Sequence, residues 1–574
     1  MASEINVLVG GEAGQGIQTI GFILAKIFAR AGANVFADQD YESRVRGGHN
    51  FYRVRASADK VNAIREQVSI LVAIDQNTIN LHRKELIKGG VIIFDSDKNK
   101  VENSDTINLG LPMEKIAEEK VGDKVMANSV AIGAAIAAAG YEFPIVEKVL
   151  REQFIRLGAA IADNNVKIAE IGFRLALEQH KPIMQPVKSS NTSQKMMLLN
   201  GNEAIALGAM AAGCKFMAAY PMTPVSSIME YISEKGRKFN IVMIQPEDEI
   251  AAINMAIGAG YAGVRAMTAT AGDGFALMTE GLGLAGITET PVVIILGQRV
   301  APAVGMPTRT EQGDLNFAVY GGAGEFPRAV FAPGTIEGAF SDTITAFNVA
   351  EKYQLPVIVI TDHHLASSYQ TVPKFDLRKV KIDRGALVSE EAAGQLSNYK
   401  RHLYTESGIS PRLIPGRGKQ LVVTDADEHD ENGHMIEDAE TRTLMMQKRL
   451  KKLENLAHEM PLSQLITKPK ANITLVGWGG TFGAITEAAE ILNAENIAAN
   501  VLQITGIYPF PKDLVSSALA KTKTNIIIEN NATGQMARII EAETGVKVTG
   551  KVLKFDGRPF SPSQIAAAIK KEVA

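Results

Sequence analysis

Three short stretches carry side chains whose type and setting suit chemistry. The first is Tyr220-Pro-Met-Thr-Pro-Val-Ser-Ser227. Its prolines hold the backbone extended and keep Thr223, between them, out of any helix. The Thr223 hydroxyl could then be fixed at the end of a strand and pointed at a ligand. Equally, the stretch could be a rigid loop in which Ser226 or Ser227 caps the following helix. The second stretch is Gln245-Pro-Glu-Asp-Glu249, ahead of a helix with small residues at Ala251, Ala252, Ala256, Gly258, Ala259 and Gly260. Its carboxylates could merely complement the helix dipole. A helix of small residues packs closely, however, and would carry Glu249, in its first turn, into the contact. A partly buried glutamate needs a partner, and a heterocyclic ring nitrogen is one. The third stretch is Met306-Pro-Thr-Arg-Thr-Glu-Gln-Gly-Asp314. The Arg309 fork there suits a carboxylate or a phosphate, or else pairs with a neighbouring Glu in a solvated loop.

Other patterns stop short of a site. Gly11 to Gly16 follows a strand and could cradle a phosphate at a helix N-terminus. Asp38, 22 residues after Gly16, even stands where a ribose-binding acid would in a dinucleotide domain. The spacing is nevertheless G-x-x-G-x-G, and Glu12 puts a carboxylate inside the loop, so a tight strand–helix turn is favoured. Gly272-Asp-Gly274 resembles the start of a thiamine-type magnesium–diphosphate motif. Residues 298–302 read Gln-Arg-Val-Ala-Pro, without the Asn that would complete it, and a turn is expected. Asp425 to His434 holds His429, His434 and several carboxylates at spacings that fit no standard zinc or calcium loop, so a solvated acidic loop is expected and no metal.

The elements that must position these residues read as alternating strands and helices. Ile5–Val9, the glycine turn and a helix over 17–31 with Ile20, Ile23, Leu24, Ile27 and Phe28 on one face open the chain. Further β-type runs follow at 33–36, 68–74, 91–94, 241–244, 266–269, 291–296, 356–360, 473–476, 500–504 and 525–529. Such alternation implies parallel sheets covered by helices, an α/β fold. With 574 residues and ~150 per domain, three or four domains are expected. The boundaries fall at 1–184, a Ser/Gln/Lys/Pro-rich linker at 185–195, a second unit at 196–373, a charged connecting segment at 374–465 with a basic helix around 447–456, and a last unit at 466–574. A net charge of -3 gives no electrostatic case for nucleic acid. One cysteine, Cys214, excludes a disulfide framework and any multi-cysteine metal or iron–sulfur site within the sequence. The first residues lack a basic n-region, and the apolar run 131–140 is too short to span a membrane, so a cytoplasmic protein is expected.

Taken together, these residues resemble the α subunit of 2-oxoacid:ferredoxin oxidoreductases in the form with a γ domain fused ahead of it. Gly11–Gly16 and Arg46-Gly-Gly48 look like γ-domain loops. Tyr220–Ser227 is similar to the family's Y-P-I-T-P-S-S signature, with Met222 for Ile and Val225 where the first Ser usually stands. Gly305–Asp314 matches a specific family stretch, and Gly272-Asp-Gly274 sits where Gly-Pro-Gly is usual. Gly477–Gly480 with Tyr508–Pro511 is similar to a transketolase C-terminal-like domain. The resemblance implies three open parallel-sheet domains: γ, thiamine diphosphate pyrimidine-binding, and transketolase C-terminal-like. It implies thiamine diphosphate held between this chain, which would grip the aminopyrimidine, and a β subunit bearing the diphosphate, Mg2+ and a [4Fe-4S] cluster. Tyr220, Pro221, Thr223 and Glu249 would border the cofactor. Glu249 would activate the pyrimidine, with Glu247 as the fallback, while Thr223 and Arg309 would bind the 2-oxoacid. Coenzyme A would take the acyl group, the first domain being its expected site, and ferredoxin the electrons. The family association leans to 2-oxoglutarate and succinyl-CoA, reversible in a reductive citric acid cycle, with pyruvate or broad specificity as the alternative. An NAD-dependent dehydrogenase and a non-catalytic scaffold are the readings from other classes.

Overall fold

The computed structural model describes residues 4–44, 46–102, 105–189 and 195–573. The chain forms two compact units: Met1–Leu199 with Ser367–Lys374 and Ser561–Ser563, and the remainder. Residues 190–194 of the expected linker lie outside the described residues.

The first unit is built on an eight-stranded sheet in the order Ile107–Leu111, Leu86–Asp95, Val68–Ala73, Glu4–Ala13, Gly47–Ser57, Asn34–Asp40, Tyr369–Pro373, Met196–Leu199. The first four strands run parallel. The others pair antiparallel, so this sheet is mixed rather than wholly parallel. The reason is local. Asn34–Asp40 and Gly47–Ser57 are separated by only a short loop, which permits an antiparallel return but no crossover. The strands Met196–Leu199 and Tyr369–Pro373, expected within the second unit, complete this sheet instead. Thr371 Oγ1 accepts from Val35 N at 2.9 Å, and Gln370 Nε2 donates to Val61 O at 2.6 Å. Helix Ile17–Arg30 buries the face read from its periodicity. From Val130 on, helix Ala127–Ala138 is apolar all round and is packed on every side. It meets helix Ala159–Gln179 so closely that a Cβ on Gly133 would lie 1.9 Å from Ala169 O, and one on Gly172 2.3 Å from Val130 O. Among the described residues no helix is long and apolar enough to cross a membrane.

The second unit carries two sheets. Seven strands run in the order Gly506–Tyr508, Ala329–Phe331, Pro356–Asp362, Val292–Gln298, Ala266–Ala271, Phe216–Ala218, Val242–Ile244. All are parallel except Gly506–Tyr508, which comes from the C-terminal part of the chain. Five strands form the other sheet: Gln464–Ile466, Ala499–Ile504, Ile473–Trp478, Thr524–Glu529, Gly550–Leu553. The central strands are buried on both faces, as parallel strands covered by helices must be. One core joins the two sheets, with Ile294 and Ile358 in the same cluster as Trp478 and Leu502.

The connecting segment is tied down by buried charge. The Glu351 carboxylate accepts from Arg265 Nε at 2.8 Å, Arg384 Nη2 at 2.6 Å and Arg412 Nη2 at 2.7 Å. Glu289 accepts from Lys448 Nζ at 2.5 Å, is ion-paired with Lys452, and lies 2.9 Å from His402 Nδ1. Burial opposes its ionisation, yet Lys448, Lys452 and His402 hold the Glu289 carboxyl well below the usual range. Lys448 and Lys452 belong to helix Ala439–Leu456, so the basic helix read from the sequence clamps a buried carboxylate. The expectation of a solvated acidic loop at Asp425–His434 is corrected. His429 is 0% exposed and packs its ring 4.1 Å from that of His402. Glu428 is held bidentately by Arg449.

Candidate active site

In a parallel sheet the loops after each strand gather at the carboxyl edge, where open α/β folds bind ligands. The second unit sends there the loops after Phe216–Ala218 (Thr223), Val242–Ile244 (Glu249), Ala266–Ala271 (Gly272–Gly274) and Val292–Gln298 (Arg299 to Asp314).

The Thr223 loop is pinned from behind. Asn202 Nδ2 donates to Pro224 O and to Ser227 Oγ, both at 2.7 Å. The helix Ser226–Lys235 begins after Val225 and has no side-chain cap, which corrects the expectation of a serine cap. Thr223 is half-buried. Its carbonyl accepts from Arg299 Nη1 at 3.0 Å. Tyr220 is 38% exposed, and Pro221 is also exposed.

The three carboxylates of the second stretch divide their roles. Asp248 caps helix Glu249–Tyr261, its Oδ1 accepting from Ala251 N at 2.8 Å. Glu247 is exposed. Glu249 is 4% exposed, and its Oε1 is buried with no hydrogen-bond partner among the described residues. Gly272-Asp-Gly274 is not a free turn but the first turn of helix Gly272–Ile287. A Cβ on Gly274 would lie 2.6 Å from Glu249 Oε1 and 2.1 Å from Thr270 Oγ1, so glycine is what lets this helix end close over the carboxylate.

The Arg309 loop is held by both sheets of its unit. Val300 N donates to Arg309 O at 3.3 Å, and Gln312 Nε2 donates to Trp478 O at 2.8 Å. Gln312 N donates to Asn530 O at 2.7 Å. Arg309 is half-buried. Burial first, then the charges of His364 and Arg309, push the buried His363 imidazole down to about 3, so it is neutral at physiological pH. Thr223, Glu249 and Arg309 thus share one edge and are linked through common neighbours. Arg299 joins the Thr223 carbonyl to Asp273, whose neighbour Gly274 covers Glu249. The sequence reading singled out neither Arg299, Gly274 as a cover, nor His363. The only signal was position, since Arg299 and His363 stand directly after strands of the same parallel sheet and Gly274 in the first helical turn after another.

Asp314 faces the same helix start, and a Cβ on Gly272 would lie 2.6 Å from its Oδ2. Burial, then Glu311 and Asp273, push its carboxyl up to about 6 against the opposing pull of Arg299. A carboxyl raised on folding costs stability when ionised. The cost is absent well below the ordinary aspartate value of 3.8, grows as pH rises, and is complete above about 6. Asp314→Asn should therefore raise the melting temperature near pH 8, by the equivalent of about 3 kcal/mol, and change it little near pH 4. Thermal unfolding at the two pH values checks this.

The first unit has a cavity of about 670 Å³ at the carboxyl ends of Glu4–Ala13, Val68–Ala73 and Leu86–Asp95, lined among others by Gly14, Gly16, Thr19, Asp75, Lys98 and Phe154. The glycine loop therefore borders a ligand-sized space. Asp38, the would-be ribose acid, is buried in strand Asn34–Asp40 and is not among the lining residues.

Three family models match the chain. Residues 6–175 match the family model described as pyruvate ferredoxin/flavodoxin oxidoreductase. Residues 207–448 match that of pyruvate flavodoxin/ferredoxin oxidoreductase, thiamine diP-bdg, and 464–573 that of the transketolase C-terminal domain. The chain is 34% identical to a 2-oxoacid:ferredoxin oxidoreductase subunit alpha of Sulfolobus sp, over 99% of this chain and 97% of the relative. It is 32% identical to the 2-oxoglutarate synthase subunit KorA of Archaeoglobus fulgidus, over 66% of this chain and 100% of the relative. Among solved structures, the 2-oxoglutarate:ferredoxin oxidoreductase of Magnetococcus marinus, with 2-oxoglutarate, coenzyme A and succinyl-CoA bound, superposes with a TM-score of 0.90 at 30% identity, covering 100% of both chains.

Proposed function

Because this chain is an α subunit of the 2-oxoacid:ferredoxin oxidoreductases, we propose that it supplies the pyrimidine-holding and substrate-holding half of a thiamine diphosphate site that oxidatively decarboxylates 2-oxoglutarate to succinyl-CoA. The observation that carries this reading is Glu249, a buried carboxylate whose Oε1 lacks a partner beneath Gly274. A heteroaromatic ring nitrogen, flat enough to approach a glycine-covered carboxyl and able to share its proton, fits that atom. Thiamine diphosphate, held at its pyrimidine by Glu249 and the Tyr220–Thr223 loop, would supply a nucleophilic carbon and an electron sink for decarboxylation. Glu249 holds a proton at Oε1 and shares it with the ring nitrogen. Thr223 donates its hydroxyl to an oxo or carboxylate oxygen of the substrate, and the Arg309 guanidinium pairs with the carboxylate. Tyr220 and Pro221, exposed on the Thr223 loop, border the cofactor.

The diphosphate, Mg2+ and [4Fe-4S] cluster belong to a β subunit, in a cytoplasmic heterodimer that passes single electrons to ferredoxin. One buried cysteine in this sequence fits that division, because it leaves no thiolates here to hold a cluster. Coenzyme A takes the first unit's cavity. Transfer to a low-potential carrier makes the reaction reversible, as a reductive citric acid cycle requires. The substrate choice is supported by the 2-oxoglutarate bound to the Magnetococcus marinus enzyme and by the KorA relatives. Pyruvate, named in the matching family models, is the alternative.

Anaerobic purification of the native complex with its partner, followed by a panel of 2-oxoacids, tests the proposal. The expected result is ferredoxin reduction that requires thiamine diphosphate and coenzyme A, with the highest kcat/KM for 2-oxoglutarate. A preference for pyruvate would replace the substrate, and turnover without thiamine diphosphate would overturn the reading.

A further inference from the structure

We propose that Gln312 is a positioning residue for the 2-oxoacid, seated in the ligand crevice of the five-stranded sheet and holding the Arg309 loop from there. This rests on the assignment of Arg309 to substrate binding. In that sheet the chain runs from Ile473–Trp478 to Ala499–Ile504 on one side and later to Thr524–Glu529 on the other, all three strands parallel. Where the strand order reverses in this way, a crevice opens between the carboxyl ends of the two neighbours, and open α/β sheets bind their ligands there. Here a side chain of the same unit fills it. Gln312 is 1% exposed. Its Nε2 donates to Trp478 O at 2.8 Å, at the end of one strand, and its Oε1 accepts from Asn530 N at 2.9 Å, just past the end of the other. The main chain is held as well: Gln312 N donates to Asn530 O at 2.7 Å, and Asn531 Nδ2 donates to Gln312 O at 3.1 Å.

The crevice is shaped for this occupant. Gly479 has φ 56°, and a Cβ on it would lie 2.9 Å from Gln312 Nε2. Asp362 latches the same turn, its Oδ2 accepting from Gly480 N at 2.7 Å, and Thr310 Oγ1 lies 3.4 Å from Asp362 Oδ1. Gln535 continues the grip, donating from Nε2 to Gly313 O at 2.6 Å and accepting at Oε1 from Asn316 N at 2.8 Å. A buried amide bonded in this way resists displacement, because each broken bond would strand a buried partner. Arg309 stands three residues before Gln312, so the seat of Gln312 sets where its guanidinium reaches. Misplacement by about 1 Å is enough to cost turnover, even when its cause lies far from the chemistry.

Kinetics of the assembled complex test this. Gln312→Ala is expected to lower kcat/KM for the 2-oxoacid by about tenfold, mainly through KM, with thiamine diphosphate affinity unchanged. Gln312→Glu keeps the volume and, while protonated, can still donate to Trp478 O. Its loss should therefore be smaller and grow as pH rises, and it carries the test if the truncation prevents assembly. In an Arg309→Gln background either Gln312 substitution should cost little more, because both act through that loop. Unchanged kinetics in the Gln312 variants, additive losses, or a matching fall in thiamine diphosphate affinity would overturn the proposal while leaving the site assignment standing. A silent Arg309→Gln would instead remove the assignment of Arg309, and the proposal with it.

Discussion

Glu249→Gln in the assembled enzyme should lower kcat by about 10²-fold or more, the usual scale for removing a positioned proton-transfer group. The complex should still assemble. The substitution keeps the volume and one carbonyl oxygen but removes the proton that a carboxyl can share. Asp248 cannot take over, because it is committed to capping the helix, and Glu247 is exposed. Glu247→Gln should accordingly be nearly silent. The contrast between neighbours two residues apart is the informative part: equal losses would mean that the stretch serves the partner interface and that neither side chain handles a proton. Ferredoxin reduction under saturating 2-oxoacid and coenzyme A, with thiamine diphosphate binding as the control, separates the outcomes.

The largest effect on stability should come from a site remote from the chemistry. Glu289→Ala leaves Lys448 and Lys452, both buried, without their counter-charge, beside the buried His402. Breaking a buried ion pair from one side typically costs about 3–5 kcal/mol, because the remaining charge cannot be solvated. The urea midpoint of the second unit should fall accordingly, and the segment carrying helix Ala439–Leu456 should become susceptible to proteolysis. Converting Lys448 and Lys452 to Met in the same variant should restore most of the loss, since an apolar replacement removes the stranded charge. A single-variant loss below about 1 kcal/mol would show that water reaches the cluster.

The central strands were legible in the sequence because burial on both faces forces apolar runs, as in Val292–Gln298 and Pro356–Asp362. The edges were not. Gly47–Ser57 carries His49, Arg53 and Arg55 and does not read as a core strand, yet it pairs along its length with Glu4–Ala13. Met196–Leu199 and Tyr369–Pro373 are short enough that pairing, not local preference, decides which sheet takes them. Within the site, the burial of Glu249 followed from the small residues of its helix. The covering glycine did not, because Gly272-Asp-Gly274 without a completing Asn reads as a turn. Arg299 was invisible for a further reason: its partner is a main-chain carbonyl 76 residues away, and sequence patterns do not encode carbonyls. The acidic loop misled in the same way, since Arg442 and Arg449 reach it from a later helix.

The most direct test of the proposed chemistry is the product balance of the anaerobic complex given 2-oxoglutarate, coenzyme A and ferredoxin. The expected balance is one CO2 and one succinyl-CoA for every two electrons delivered, with all three products lost together in Glu249→Gln. Electrons released without acyl-CoA, or CO2 released without electrons, would contradict the coupled oxidative decarboxylation proposed for this chain and its partner.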